Sequence, residues 1–268
     1  SFFIFLLFAG IAVGIVEVAV NIEADRVEFK IRKKIMNRSH SFWSLGFFSA
    51  GLLGAIFSQL NVTPTFHFLF CFVLALLLVF YFTKKNVVAP IRPTLNEKPS
   101  LFVIPSKKIM ALVFFTLSAM LIEGAGIDWS VIFMRDIFNT PPFINGMALF
   151  LGAAGQFIVR FNADNVVERF GSKNVAKLSI SVMFIGLIFV SFSNFPYLVL
   201  FGFFLGGGTA VLFPLAVSAA AQFSDKTAAA NVASLAQISF IVFLIGPPFL
   251  GYIACLLYTS DAADEGHC

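Results

Sequence analysis

Long apolar runs separated by short polar segments constrain this chain more than any other feature. Eight can be marked, at 1–22, 41–61, 66–83, 109–127, 143–161, 177–193, 195–221 and 229–254. Each is close to the roughly 17–25 residues that a helix needs to cross a bilayer core. Hydrophobic residues make up 59% of the sequence and charged ones only 12%, against about 25% charged in soluble globular chains. A soluble protein of this size could not bury 37 phenylalanines, whereas lipid accepts them as an outer coat. The expected fold class is an all-α integral membrane protein.

The charges test this division, because loops on the cytoplasmic side of a multi-pass chain collect Lys and Arg. The segment 23–40 carries Arg26, Lys30, Arg32, Lys33, Lys34 and Arg38, and 84–108 carries Lys84, Lys85, Arg92, Lys98, Lys107 and Lys108. The next boundary on the same side has Arg160, Arg169, Lys173 and Lys177, and the last has Lys226. Of the 18 basic residues only Arg135 falls on the other side, where Asp136 beside it suggests a surface pair. The basic loops are therefore expected in the cytoplasm, with the chain multi-pass in the cell (inner) membrane. Nucleic-acid binding is excluded by the same distribution, since the basic residues lie between membrane spans.

The longest polar stretch, 84–108, holds Pro90, Pro93, Pro99 and Pro105 and reads as a cytoplasmic linker between two helical groups, 1–83 and 109–254. The run AGIAVGIVEVAVNIEADRVEFK from Ala9 lies over LGGGTAVLFPLAVSAAAQFSDK from Leu205 after a small shift. That self-similarity suggests two parallel halves. The segment 255–268 opens on CLLYTSDAADE, shares nothing with the span before it, and reads as an adapter-derived, non-native tail. Three cysteines make no disulfide framework. The sequence offers no metal-spaced His/Cys cluster, phosphate-cradling loop or nucleophile–base arrangement, so neither an enzyme, a metal site nor a cofactor is expected.

A charged side chain at membrane depth costs about 2.5–3.5 kcal/mol or more, so carboxylates inside spans stand out. Glu17 shares a helical stripe with Gly10, Gly14 and Asn21. It is either a proton carrier with a pKa raised by desolvation or a packing carboxylate near the inner end of the helix. Glu123, in LIEGAGIDWS, precedes Gly124 and Gly126, which predict a broken helix lining a solute path. Asp128 and Trp129 follow, either in that path or as a cap and an interface anchor. His40 and Ser44 fall on one helical face with Phe47 and Gly51, and Gln156 and Gln237 are uncharged polar residues within spans. GFFLGGGTA, inside the seventh span, predicts close helix packing rather than a phosphate loop.

The run RFNADNVVERFGSKNVAK from Arg160 resembles the signature that the major facilitator superfamily places in the cytoplasmic loop between the second and third spans of each half. Asp164 matches its acid, Arg169 and Gly171 its Arg-Phe-Gly, and Lys173 follows; Asn165 stands where Arg is common. GIVEVAVN from Gly14, IMNRSHSFWSLG from Ile35 and EGAGIDWS from Glu123 are similar to segments of the fucose permease branch, most of all its YbjJ-like members. The resemblance implies a twelve-helix bundle of which about eight helices are present, the fourth to the eleventh. Residues 1–83 would then be the remnant of the N-terminal bundle and 109–254 part of the C-terminal one. It implies proton symport of a small polar, sugar-like solute by alternating access, with Glu17 as the coupling carboxylate. Asp164, Arg169, Gly171 and Lys173 would form a cytoplasmic gate. The implied partners are a solute, protons and the lipid bilayer, with the protein monomeric. Proton-driven efflux of an amphipathic compound, and a non-transporting membrane sensor of the same fold, are the other readings the sequence leaves open.

Overall fold

The structure, a computed structural model, describes residues 2–33, 35–84, 103–226 and 228–258. Most of the predicted linker and residues 259–268 of the predicted tail lie outside these. So do the side chains of Glu17 and Asn21, whose backbones belong to the first helix.

Among the described residues all regular secondary structure is helical. The helices are α1 (Phe2–Ile31), α2 (Met36–Gln59), α3 (Pro64–Thr83), α4 (Lys107–Phe138), α5 (Pro142–Phe170), α6 (Ser172–Phe192), α7 (Pro196–Leu205), α8 (Leu212–Ala221) and α9 (Ala228–Tyr258). A 3-10 segment, Gly206–Val211, joins α7 to α8, so that Pro196–Ala221 forms one span. Among the described residues seven spans are long and apolar enough to cross a membrane, and α1 adds a shorter apolar stretch at Ile4–Val16. Helices are what lipid permits, because each satisfies its own backbone hydrogen bonds. Their ends follow local chemistry. Pro64, Pro142 and Pro196 sit in the first turns of α3, α5 and α7, where a missing N–H costs nothing. Asn139 ends α4 in the left-handed region at φ 50°.

Two expectations are corrected. The predicted inner loop from Arg160 is not a loop: α5 continues to Phe170 and α6 starts at Ser172, leaving Gly171 (φ 78°) as the whole turn. Burial of Ala163 and Val167 against Val175 and Val211, and of Asp164 against α2, holds that extension in helix. Nor is α4 broken after Glu123, since it runs on for fifteen residues to Phe138. Two glycines cost a helix about 1 kcal/mol each, less than unsatisfied backbone groups cost in lipid. At the far end, Cys255–Tyr258 of the predicted tail continue α9.

The helices pack through small residues. A Cβ on Gly186 would lie 2.7 Å from the Gly202 carbonyl oxygen, and one on Gly202 would lie 2.8 Å from that of Gly186. Gly155 of α5 and Gly207 of the 3-10 segment meet backbone to backbone, as the Gly-rich run predicted. The most extensive seam joins α2 to α5, which run antiparallel. Asn37 meets Asp164, Ser44 meets Arg160, Gly51 meets Phe150, Ala55 meets Gly146, and Gln59 accepts the N–H of Phe143 at 3.3 Å.

At the basic end, Asn231 is fully buried and ties down the α8–α9 turn, donating to the Phe223 carbonyl and to Asp225, both at 3.1 Å. Hydrogen bonding from Ser106, reinforced by Asn231, holds the Asp225 carboxyl below the usual carboxylate range. Apolar clusters then bracket the bundle. One gathers Ile109, Val113, Ala216, Ala220 and Leu235. Another, at the opposite end, gathers Met134, Ala148, Val199 and Leu200.

Gly155→Ala drives a methyl into the Phe204 carbonyl and should cost about 1–3 kcal/mol. Gly46→Ala, with open space at its Cβ, should be neutral or stabilising by up to about 1 kcal/mol. Thermal unfolding in detergent compares the two.

Candidate functional site

Between those two clusters lies a buried ion pair. Glu123 sits midway along α4, sixteen residues from Lys107 and fifteen from Phe138. One turn past the middle of α5, Arg160 is only 6% exposed. Its Nη2 donates to both oxygens of Glu123, at 3.0 and 3.3 Å. Nη1 donates to Ser44 Oγ at 2.7 Å and to Gln156 Oε1 at 3.4 Å, and Nε to the Ala210 carbonyl at 3.0 Å. All three guanidinium nitrogens thereby find acceptors, which such a charge requires when taken out of water.

Local sequence explains each acceptor. Gln156 is one turn from Arg160 on the same helix. The α-helical donor to the Ala210 carbonyl would be residue 214, which is Pro214 and has no N–H. The 3-10 segment thus presents a carbonyl for Arg160 to use. Ser44 is fully buried in α2, so this bond crosses from the first predicted helical group to the second. His40, one turn before Ser44 and half-buried, lies within electrostatic reach of Arg160.

A cavity of about 240 Å³ adjoins the pair, bounded by α4, α5, α6, α7 and the 3-10 segment, with Phe47 of α2 on one side. Glu123 and Gln156 line it, and Arg160 stands behind them. Most of the wall is apolar, including Ile127, Trp129, Phe133, Met183 and Leu187. Ser130 and Thr209 also line it, 1% and 2% exposed, and neither hydroxyl has a hydrogen-bond partner. Trp129 packs on α9, where its Nε1 donates to the Pro247 carbonyl at 3.2 Å. Gly124 admits Pro247 of α9 to 3.2 Å from its would-be Cβ, close to the Phe243 carbonyl that this proline leaves without a helical donor.

A second polar cluster sits at the basic end of the seam. Asp164, 5% exposed, accepts from Asn37 Nδ2 at 2.6 Å and from the Arg38 backbone N–H at 3.2 Å. Glu28 of α1 accepts the N–H groups of Ile35 and Met36 at 2.6 and 2.9 Å. Two carboxylates thus cap the N-terminus of α2, where unpaired N–H groups and the helix dipole favour negative charge. The Arg38 guanidinium lies 5.1 Å from the Phe161 ring centroid on α5.

Of the residues singled out in the sequence, Ser44, Glu123 and Gln156 converge on Arg160, with His40 close by, and Trp129 faces the same cavity. Asp128 is exposed on α4 and outside the cavity lining, and Gln237 is half-buried on α9, also outside it. The side chains of Glu17 and Asn21 lie outside the described residues. The gate residues do not assemble as predicted. Asp164 bonds α2, whereas Arg169 and Lys173 are exposed and do not bond it, and Gly171 supplies the turn. Arg135 pairs with Asp136 at 2.6 Å on the surface, as expected. Arg160, Ser130 and Thr209 were missed. Gln156, Arg160 and Asp164 recur every fourth residue, a polar stripe that would have revealed Arg160 had α5 been extended past 161.

The Major Facilitator Superfamily model matches residues 109–259 of the chain. The transporter y4wD of Sinorhizobium fredii is 29% identical over 251 residues, covering 93% of this chain and 66% of its own length. An MFS-type transporter of Yersinia pestis is 29% identical over 259 residues, covering 96% and 66%. The chain thus spans just under two thirds of the length of these curated relatives, both named as uncharacterized. No solved structure matches it.

Removing one partner of a buried pair strands the other charge. Arg160→Met should therefore cost about 3–5 kcal/mol, and Arg160→Met with Glu123→Gln distinctly less; thermal unfolding of the two variants in detergent checks this. Asp164→Asn should weaken the cap on α2 by about 1–2 kcal/mol, read as faster amide exchange at Asn37–His40.

Proposed function

The chain belongs to the Major Facilitator Superfamily, and on that premise we propose that it serves as a secondary transporter, carrying a small solute together with a proton by alternating access. The observation that carries this reading is the Glu123–Arg160 pair. It lies at mid-depth in the bundle, where transporter sites form, beside a cavity whose only charged lining side chain among the described residues is Glu123. Buried ion pairs are poor stabilisers compared with apolar packing, so a site of this cost favours function over architecture. A proton on Glu123 would cancel its charge and loosen its hold on Arg160, which also bonds Ser44 across the α2–α5 seam. Proton occupancy would then bear on the contact that has to open.

The wider reading keeps two halves, 1–83 and 109–254, joined by a cytoplasmic linker at 84–108. The protein would work as a monomer in the cell inner membrane, with its basic loops cytoplasmic. Glu17, on sequence and resemblance alone, is a second candidate proton carrier. Uptake of a sugar-like solute follows from the resemblance to the fucose permease branch. The apolar walls of the cavity favour instead an amphipathic cargo.

The test is proton entry into proteoliposomes holding the full-length protein, followed with an internal pH dye as candidate solutes are added. Solute-driven proton entry should fall to the level of empty liposomes in Glu123→Gln while solute counterflow persists. Unchanged coupling in that variant rules Glu123 out as the carrier, and Glu17→Gln becomes the deciding substitution. Binding without translocation in the wild type would make the protein a sensor.

A further inference from the structure

We propose that Arg160 is the receptor for the carboxylate of a small monocarboxylic anion with an apolar body, which takes the place of Glu123 when Glu123 accepts a proton. The proposal rests on the reading of Glu123 as a proton carrier and names the cargo class for that site.

The guanidinium already holds a carboxylate. Nη2 reaches both oxygens of Glu123, while Nη1 is held by Ser44 and Gln156 and Nε by the Ala210 carbonyl. Arginine suits planar carboxylates for this reason. A ligand carboxylate arriving from the cavity meets Glu123 and Gln156 first, and it can gain Nη2 only if Glu123 lets go. With Glu123 ionised, a second anion would bring net negative charge into an apolar bundle. With Glu123 protonated, Arg160 would be a buried charge without a counter-ion, unless an anion arrived. The site therefore accommodates one negative charge at a time.

The surroundings agree. Arg160 faces Glu123 from α5 and His40 is near it from α2, while Asp128 on α4 is exposed and outside the cavity. Among the cavity-lining residues, α6, α7 and the 3-10 segment contribute no charged side chain, and α9 contributes no lining residue. About 240 Å³ is small beside the roughly 300–1,000 Å³ of pockets for drug-sized ligands. The unpartnered Ser130 and Thr209 hydroxyls can serve one or two polar groups. A sugar, with hydroxyls on all sides, would leave most of them unpaired against Ile127, Phe133, Met183 and Leu187. An anion with one charged end and an apolar body fits both ends of the site.

The cycle balances. A proton from water on one side adds to a Glu123 carboxylate oxygen, and the ligand carboxylate accepts the Nη2 hydrogens. On the other side the ligand leaves, the proton returns to water, and Glu123 pairs again with Arg160. One proton and one monoanion move together, so no net charge crosses.

The probe is phenylacetate, with phenylacetamide and glucose as comparisons, binding to the full-length protein in detergent by calorimetry. Phenylacetate should bind at least about tenfold more tightly than either comparison. Its affinity should rise by up to about tenfold per unit as pH falls from 8 to 6, the limit for one linked proton. Glu123→Gln should bind it tightly at every pH. Glu123→Gln with Arg160→Gln, which strands no charge, should lose the preference for the anion over the amide. In proteoliposomes, initial phenylacetate uptake should not respond to an imposed membrane potential. Equal affinity for the amide, preference for glucose, or a flat wild-type pH profile would overturn the proposal. Proton-coupled glucose uptake that needs Glu123 would leave the transport reading standing and remove this one. Phenylacetate binding with these properties but no translocation would do the reverse.

Discussion

An arginine at mid-depth in an apolar bundle is tolerable only when its guanidinium nitrogens find acceptors. For Arg160 the acceptors come from α2, α4, α5 and the 3-10 segment. That requirement ties together segments far apart in the chain. It fixes the depth at which α4 lies against α5, because Glu123 must meet Nη2. It also sets the register of α2 along α5, because Ser44 must meet Nη1. The proline at 214 belongs to the same arrangement, since it leaves the Ala210 carbonyl without its α-helical donor.

The close approach that such a hub needs is supplied by residues without bulk. Gly155 and Gly207 let α5 meet the 3-10 segment backbone to backbone, and Gly51 and Gly146 do the same service between α2 and α5. In lipid there is little hydrophobic drive between helices, and contact area and polar bonds must hold them. The glycines and the guanidinium are in this sense one device. Small residues bring the backbones near enough for a side chain of fixed reach to bond three neighbouring segments at once.

Much of this was legible in the sequence, and what was not has physical reasons. Span positions followed from apolar run length, because lipid imposes that length directly. Ser44, Glu123 and Gln156 stood out as polar groups in apolar runs, and they do converge. Arg160 was hidden because a basic residue at the end of an apolar run reads as a loop charge; only the buried Asp164 one turn later shows that α5 continues. The expected break at Gly124 failed because a glycine in a span serves packing as readily as flexibility, and Pro247 occupies the space it leaves. The partners of Asp164 could not be read along the chain at all. They lie on α2, and which helix end faces that carboxylate is decided by tertiary docking. Ser130 and Thr209 were invisible because Ser and Thr in helices commonly bond their own backbone, and only a structure reveals a hydroxyl that does not.

The stripe Gln156, Arg160, Asp164 on α5 separates the bonds that would travel with the second helical group from those that would break. Gln156, Glu123 and Ala210 all lie within residues 109–254, and on the proposed division a rigid rotation of that group would carry their bonds to Arg160 unchanged. Ser44, Asn37 and the Arg38 N–H lie on α2, so the same rotation would stretch the Arg160–Ser44 and Asp164–α2 bonds together. Opening of the seam therefore has two polar barriers of different kinds. The one at the basic end is a carboxylate on a helix terminus, outside the cavity lining. The one at mid-depth adjoins a carboxylate that faces a cavity. Only the second adjoins the cavity, and under the proposed transport cycle that asymmetry would give a clasp indifferent to the cargo and a lock that responds to it.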